Sequence, residues 1–322
     1  MECSGINLKV EEKQSFDIIG DVHGQARELT SLLKDLGYSD ETGVWRHPVR
    51  KVIFLGDFID RGPFQCEVVG IAKAMVDAGE ALAVMGNHEF NAIAFYTDRG
   101  DGTYLRKRNN KHVSQHRAFL DQFAKDLNEE DPWGTAIAWF KTLPMWLDLG
   151  NLRIVHACWS QNAIDYLELN HQGPVLTDDL LVKASTKGTD EYDHIEVLLK
   201  GLEIPLPGDA SFNDKDGFER KNIRVRWWDA EADTYQKAFL GPESVVPQIP
   251  DLPIAQGRGQ IYPKDAPPVF IGHYWREELE LFAHNIACTD YSVAKPGGML
   301  AAYRWDGEQT LDIAKFKTAA RL

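Results

Sequence analysis

The chain has 322 residues, 43% of them hydrophobic, enough to bury one large core or two modest ones, and we read it as one elaborated domain over 1–322. Its formal net charge of -14 and pI near 5.2 argue against a general binder of nucleic acid or of membrane surfaces, since either would need a basic face. Met1 to Gln14 is polar with no apolar core, no later apolar run is long enough to span a bilayer, and the four cysteines are scattered without a CxxC pair, so a soluble cytoplasmic protein is expected.

In chain order, Phe16 to Ile19 reads as a strand that runs into Gly20-Asp21-Val22-His23-Gly24. Leu29, Leu32, Leu33 and Leu36 then share one helical face, which predicts a helix from Ala26 to Leu36. The run Val52 to Leu55, apolar without interruption, predicts a strand buried on both faces. Gly56 allows a sharp turn at its end, so Asp57, Asp60 and Arg61 crowd one short loop before Gly62-Pro63. Val68, Ile71, Ala72, Met75 and Val76 predict a largely buried helix ending near Gly79, and Ala81 to Met85 is a third strand running into Gly86-Asn87-His88-Glu89. This βαβαβ opening predicts helices packed on a largely parallel sheet.

The stretch 98–145 reads as an insertion: a Gly-rich loop with the basic residues Arg106, Lys107, Arg108 and Lys111, either a solvated face or a substrate contact, then helices at Phe119 to Leu127 and Trp133 to Leu143. Leu152 to Val155 is a strand ending in His156, and Val269 to Ile271 another ending in Gly272-His273. Between them, 171–268 is a second insertion with a helix from Glu191 to Leu202 and proline-rich passages of the kind that form lids or binding loops. Within it, Arg224 and Arg226 alternate on a strand-like segment and point the same way, as a phosphate clamp or as solvated arginines of an edge strand. Met299 to Trp305 and Thr310 to Phe316 around Asp306-Gly307 read as a closing β-hairpin.

Five strand-like runs thus end in residues able to ligate a metal, and in α/β sheets such residues converge beyond the carboxyl ends of the strands. GDVHG, GDFIDRGP, GNHE, the later His156 and the final Gly272-His273, in this order, resemble the calcineurin-like metallophosphoesterases. The resemblance implies an α/β fold, the α/β/β/α sandwich with two central mixed sheets flanked by helices. It also implies two divalent metal ions, one held by Asp21, His23 and Asp57 and the other by Asp57, Asn87, His156 and His273. A donor set of Asp, His and Asn without thiolate suits Mn, Fe or Zn.

The activity implied is hydrolysis of phosphate esters or anhydrides by a metal-bridging hydroxide, with His88 as general acid, Asp60 orienting it, and Arg61 and Asn87 facing the phosphoryl group. Glu89 is read either as a contact behind the metals or as a carboxylate favoured in a helix's first turn. His47, His112, His116, His171, His194 and His284 are read as structural, and Cys158 as a packed core thiol. The implied partners are a phosphorylated small molecule, a dinucleotide or a phosphoprotein, with no stable nucleic acid and no membrane. The chain departs from the family's protein-phosphatase branch at Met85, where that branch has Arg, and at Ala157-Cys158, where it has Gly-Gly. GDVHG and GDFIDRGP resemble the bacterial diadenosine tetraphosphatase branch as well. The alternative is a module that binds metal or a phosphorylated ligand without turnover; Asp60, Arg61 and His88 speak against it, since none is needed merely to hold metal.

Overall fold

In the computed structural model, residues 14–123, 131–213, 217–254 and 259–321 are described. Strand β1 (Ser15–Ile19), helix α1 (Ala26–Leu36), β2 (Arg50–Phe54), α2 (Gln65–Asp77), β3 (Ala81–Ala83) and α3 (Asn87–Tyr96) follow the predicted βαβαβ order, with β1, β2 and β3 parallel. Helix α1 buries Leu29, Leu32, Leu33 and Leu36 and stops at Gly37, whose left-handed φ of 96° lets its N–H reach back to the carbonyls of Leu33 and Lys34.

The first insertion contains α4 (Asn110–Phe123) and α5 (Pro132–Thr142); the end expected for α4 near Leu127 lies outside the described residues. Two of its basic residues fasten the loop: Arg106 donates to Asn91 Oδ1 and Gln115 Oε1, and Arg108 donates to the Phe95 carbonyl while lying over the Tyr104 ring. The chain continues through β4 (Trp146–Asp148), β5 (Arg153–Val155), α6 (Gln161–His171), α7 (Asp178–Ala184) and α8 (Asp190–Lys200). The second insertion forms two small antiparallel pairs, β6 (Glu203–Pro205) with β9 (Asn222–Arg224) and β7 (Phe212–Asn213) with β8 (Glu219–Arg220), followed by the short α9 (Tyr235–Ala238). It has a hydrophobic cluster of its own, in which Ile204, Ile223, Val225 and Phe239 are buried.

The remaining strands are β10 (Val269–Ile271), β11 (Leu281–Ala283), β12 (Ile286–Cys288), β13 (Asp290–Tyr291), β14 (Met299–Trp305) and β15 (Phe316–Ala320). They complete two mixed sheets, β13-β14-β1-β2-β3 with β15 on β14, and β11-β12-β10-β5-β4. Strand alternation explains the layering. Phe16, Ile18, Ile53 and Leu55 face one way and meet Leu147, Ile154 and Phe270 of the other sheet, while Ile19, Val52 and Phe54 join the helix side with Leu29, Val68 and Met75. The expected closing hairpin is shifted. β14 pairs with Phe316–Ala320, not with Thr310 to Phe316, because the stretch before it is taken up by a 3-10 turn at Ile313–Lys315, where the Asp312 side chain accepts from the Ala314 N–H.

One strand residue breaks the apolar pattern. Asp17 is fully buried in β1 and accepts hydrogen bonds from Arg50, Arg304 and the Tyr38 hydroxyl, while Arg50 also pairs with Asp306 and donates to the carbonyls of Phe16 and Trp305. Asp17→Ala is expected to lower unfolding free energy by about 3–5 kcal/mol, since it strands Arg50 without its buried counter-charge. Urea titration measures this; a loss under about 1 kcal/mol would show that the remaining partners suffice.

Candidate metal centre

The carboxyl ends of β1, β2, β3, β5 and β10 meet at one place, where the two sheets bring together residues up to 252 positions apart in sequence. His23 Nε2 lies 3.6 Å from Asp57 Oδ2, and His156 Nε2 lies 3.5 Å from Asp57 Oδ1. Asn87 Oδ1 is 3.1 Å from His156 Nε2 and 2.8 Å from His273 Nδ1. The backbone N–H of His273 donates to Asp21 Oδ2 at 3.2 Å. Main-chain bonds tie the loops together: His23 N–H and Gly24 N–H donate to the carbonyls of Asp57 and Phe58, and Gly272 N–H donates to that of His156.

Backbone strain is concentrated here. Among the described residues, seven other than glycine have positive φ, and five of them are His23, Asp57, Asp60, Arg61 and His273. Such conformations persist only where the surroundings over-determine them. Glu89 is one cause: on the first turn of α3 its carboxylate accepts from the N–H groups of Asp57, Phe58 and Gly86, so it pins the Asp57 loop to the helix start. The two readings of Glu89 are therefore one arrangement. Glycine before a ligand is required by space, because a Cβ at Gly86 would lie 2.3 Å from Asp57 Oδ1 and one at Gly272 would lie 2.1 Å from Asp21 Oδ1.

The residues fit divalent metals. His23 Nδ1–H donates to the Ile59 carbonyl at 2.9 Å and His156 Nδ1–H to the Leu55 carbonyl at 2.7 Å, so both rings present a bare Nε2 lone pair to Asp57. His23 Nε2 is buried and has no hydrogen-bond partner, as expected of a nitrogen kept for a ligand. Burial, aided by Arg61, lowers the His23 pKa to about 3 and keeps it neutral, and burial with Arg224 likewise lowers His273. Burial alone would raise Asp57, yet His156, His88 and His23 hold it well below the usual carboxylate range. Asp21 is raised by burial, Asp290 and Asp57. Among the described residues, two groups of potential ligands have all their donor atoms within 4.8 Å of one another: His23, Asp57 and His88, and Asp57, His156 and His273. Asp57 is common to both. Asp21 is in neither group and His88 is in the first, so geometry leaves His88 open to either of two uses.

His88 Nδ1 is 2.6 Å from Asp60 Oδ2, and its Nε2 is 3.8 Å from Asp57 Oδ2. Burial opposes charge on His88, but Asp57 and Asp60 outweigh it and raise its pKa above the ordinary histidine value. Asp60 itself is held at about 2: burial acts against ionisation, and hydrogen bonds from His116 and His88 overcome it. Arg61 is exposed at the loop's edge, close enough in charge to lower both His23 and Asp21.

Burial alternates through Ile223, Arg224, Val225, Arg226 and Trp227, so the two arginines share a face, but their surroundings differ. Strand β9 ends at Arg224, which is half-buried, pairs with Glu203 at 3.6 Å and lies over the Tyr274 ring beside His273. Arg226 is exposed beyond the strand, its N–H bonded to the Ala238 carbonyl. Two residues of the site were not foreseen. Asp290, 4% exposed on β13, adds a carboxylate beside Asp21. His116, expected to be structural, is fully buried with Nδ1 at 3.0 Å from Asp60 Oδ2. The other histidines read as structural stay away from this centre; His171 pairs with Glu191 and His284 bonds the Lys264 carbonyl. Cys158 and Cys288 are buried, and Cys3 lies outside the described residues.

The sequence profile of the calcineurin-like phosphoesterases matches residues 15–246. The chain belongs to this family. The match stops short of His273, which joins the centre through the fold. Among curated relatives, the asymmetrical bis(5'-nucleosyl)-tetraphosphatase PrpE of Geobacillus thermodenitrificans is 31% identical over 177 residues, 54% of this chain and 69% of its own length. The enzyme of the same name from Halalkalibacterium halodurans is 46% identical over 74 residues, 23% of this chain and 30% of its own. A solved protein serine/threonine phosphatase from Saccharomyces cerevisiae aligns over 97% of this chain and 81% of its own, at 14% identity and a TM-score of 0.48. None of the helices among the described residues is long and apolar enough to cross a membrane.

Proposed function

We propose that this phosphoesterase acts on phosphoanhydrides of the dinucleoside polyphosphate class, with Asp21, His23, Asp57, Asn87, His156 and His273 holding two divalent metals of the Mn, Fe or Zn type. The observation that carries the hydrolytic reading is the His88–Asp60 pair at 2.6 Å beside two ligand groups that share Asp57. The substrate class is supported by the names of the relatives and by the departure from the protein-phosphatase pattern at Met85, which is buried here.

Bound metals would supply Lewis acidity to water and to phosphoryl oxygens. The chain's own groups do the rest. Arg61, exposed on the loop after Asp60, grips phosphoryl oxygens in bidentate fashion. Asp60 holds Nδ1–H of His88, which leaves the Nε2 proton to be given to the departing oxygen.

The substrate assignment is tested by kcat/KM in Mn²⁺ across dinucleoside tetraphosphates, mononucleotides and phosphopeptides. Dinucleoside tetraphosphates are expected to lead, and preference for phosphopeptides would overturn the assignment. The acid assignment is tested separately. His88→Asn is expected to keep its metal content but lower kcat by about 10²- to 10⁴-fold for esters with poor leaving groups, and far less for p-nitrophenyl phosphate, whose phenolate departs without a proton. If the substitution strips metal, or slows both substrates alike, His88 is a ligand or a structural residue.

A further inference from the structure

Asp60 serves two imidazoles. His88 Nδ1 is 2.6 Å from Oδ2, and His116 Nδ1 is 3.1 Å from Oδ1 and 3.0 Å from Oδ2 of the same carboxylate. An ionised carboxylate only accepts, so each ring must carry a proton on the nitrogen that faces it. We propose that His116, through Asp60, is a positioning residue that sets the orientation of His88; the proposal rests on the reading of His88 as general acid.

The reason is mechanical. A carboxylate turns easily about its last torsion, which is broad and roughly two-fold. Asp60 also sits on a backbone with φ of 67°, in a tight loop ending at Gly62. A single hydrogen bond from His88 cannot fix both the carboxylate plane and the imidazole. His116 supplies a second donor from outside the loop, on α4, with its ring wholly buried and set edge-on against Phe95 at 5.3 Å. The same helix holds the loop at another point, since Gln122 accepts from Gln65 N–H and donates to the Gly62 carbonyl, while Gln65 accepts from Asp60 N–H. Helix α4 thus clamps the Asp60 loop by side chain and by backbone, and the insertion that carries it has a task at the site.

Two substitutions separate this role from packing. His116→Leu fills the space and removes the donor; His116→Asn leaves a gap but can donate from about the position of Nδ1. His116→Leu is expected to lower kcat for an alkyl phosphate ester about 10- to 100-fold with KM unchanged, and to affect p-nitrophenyl phosphate only a few-fold. His116→Asn should recover most of the loss despite the poorer packing. In a His88→Asn background, His116→Leu should cost nothing more, because the group it orients is gone. A second readout needs no turnover: the proton on His88 Nδ1, in a short hydrogen bond to Asp60, should give a far-downfield NMR resonance that shifts or broadens in His116→Leu and returns in His116→Asn. Activity that follows thermal stability in place of donor capacity, or a loss that adds to that of His88→Asn, would overturn the proposal. So would an unchanged resonance in His116→Leu. If the unmutated protein hydrolyses no phosphate ester, the functional reading fails, and the resonance alone still decides whether His116 orients His88.

Discussion

Protein stripped of divalent metal with EDTA and then freed of chelator is expected to hydrolyse p-nitrophenyl phosphate at the background rate, and to regain turnover when Mn²⁺ is added. In the proposed reading metal-activated water is the nucleophile, and the converging side chains serve metal binding and proton transfer. The side chains that converge on the site are carboxylates, imidazoles, one carboxamide and a guanidinium. The thiols of Cys158 and Cys288 are buried and pushed above the ordinary thiol range, so neither is a thiolate at neutral pH. In this reading attack comes from water, which is a poor nucleophile until a cation lowers its pKa from about 15.7 toward neutrality. Nitrogen and oxygen donors bind Mn²⁺ more weakly than Zn²⁺, so activity should return at lower concentrations of zinc if zinc supports turnover at all. Full activity in protein shown by elemental analysis to be metal-free would sink the assignment.

The candidate ligands were legible in the sequence because each is announced locally. A short apolar run ends in a residue of metal-binding type, usually after glycine, and the chirality of βαβ units then delivers those ends to one edge. The features that were not legible depend on distant partners. His116 is 56 residues from Asp60, and its only local signal is that it shares a helical face with Phe119 and Phe123, the other buried residues of α4. On that face a histidine reads as core until the carboxylate opposite is known. Asp17 is hidden in the same way, its partner Arg304 lying 287 residues away. The surroundings of Arg224 and Arg226 were illegible for the same reason: Glu203 and the Tyr274 ring, which hold Arg224, are 21 and 50 residues away. The closing hairpin failed on register. Leu311 and Ile313 alternate as strand residues do, but Tyr303 pairs with Phe316, which pushes the second strand toward the C-terminus.

Asp57→Asn is expected to fold normally yet lose more than about 10³-fold in kcat/KM, the equivalent of about 4 kcal/mol, in keeping with the several kcal/mol that metal-centred charge stabilisation supplies. The substitution is nearly isosteric, and asparagine tolerates the positive φ of 51° that this position requires. The hydrogen bonds from His23 N–H to the Asp57 carbonyl and from Asp57 N–H to the Glu89 carboxylate are untouched. What changes is charge and the second oxygen. Oδ1 faces His156 and accepts the His88 N–H, while Oδ2 faces His23, so the carboxylate is the one group that both ligand sets share. An amide keeps a single acceptor and must turn its NH₂ toward one side, which leaves one set without a donor at this position and both without its charge. Metal analysis should therefore find fewer than two tightly held ions, and titration with Mn²⁺ should show one weakened site where the unmutated protein shows two coupled ones. An active Asp57→Asn protein that retains both metals would mean that the two ligand groups work independently, with Asp21 and not Asp57 supplying the charge that holds the ions together.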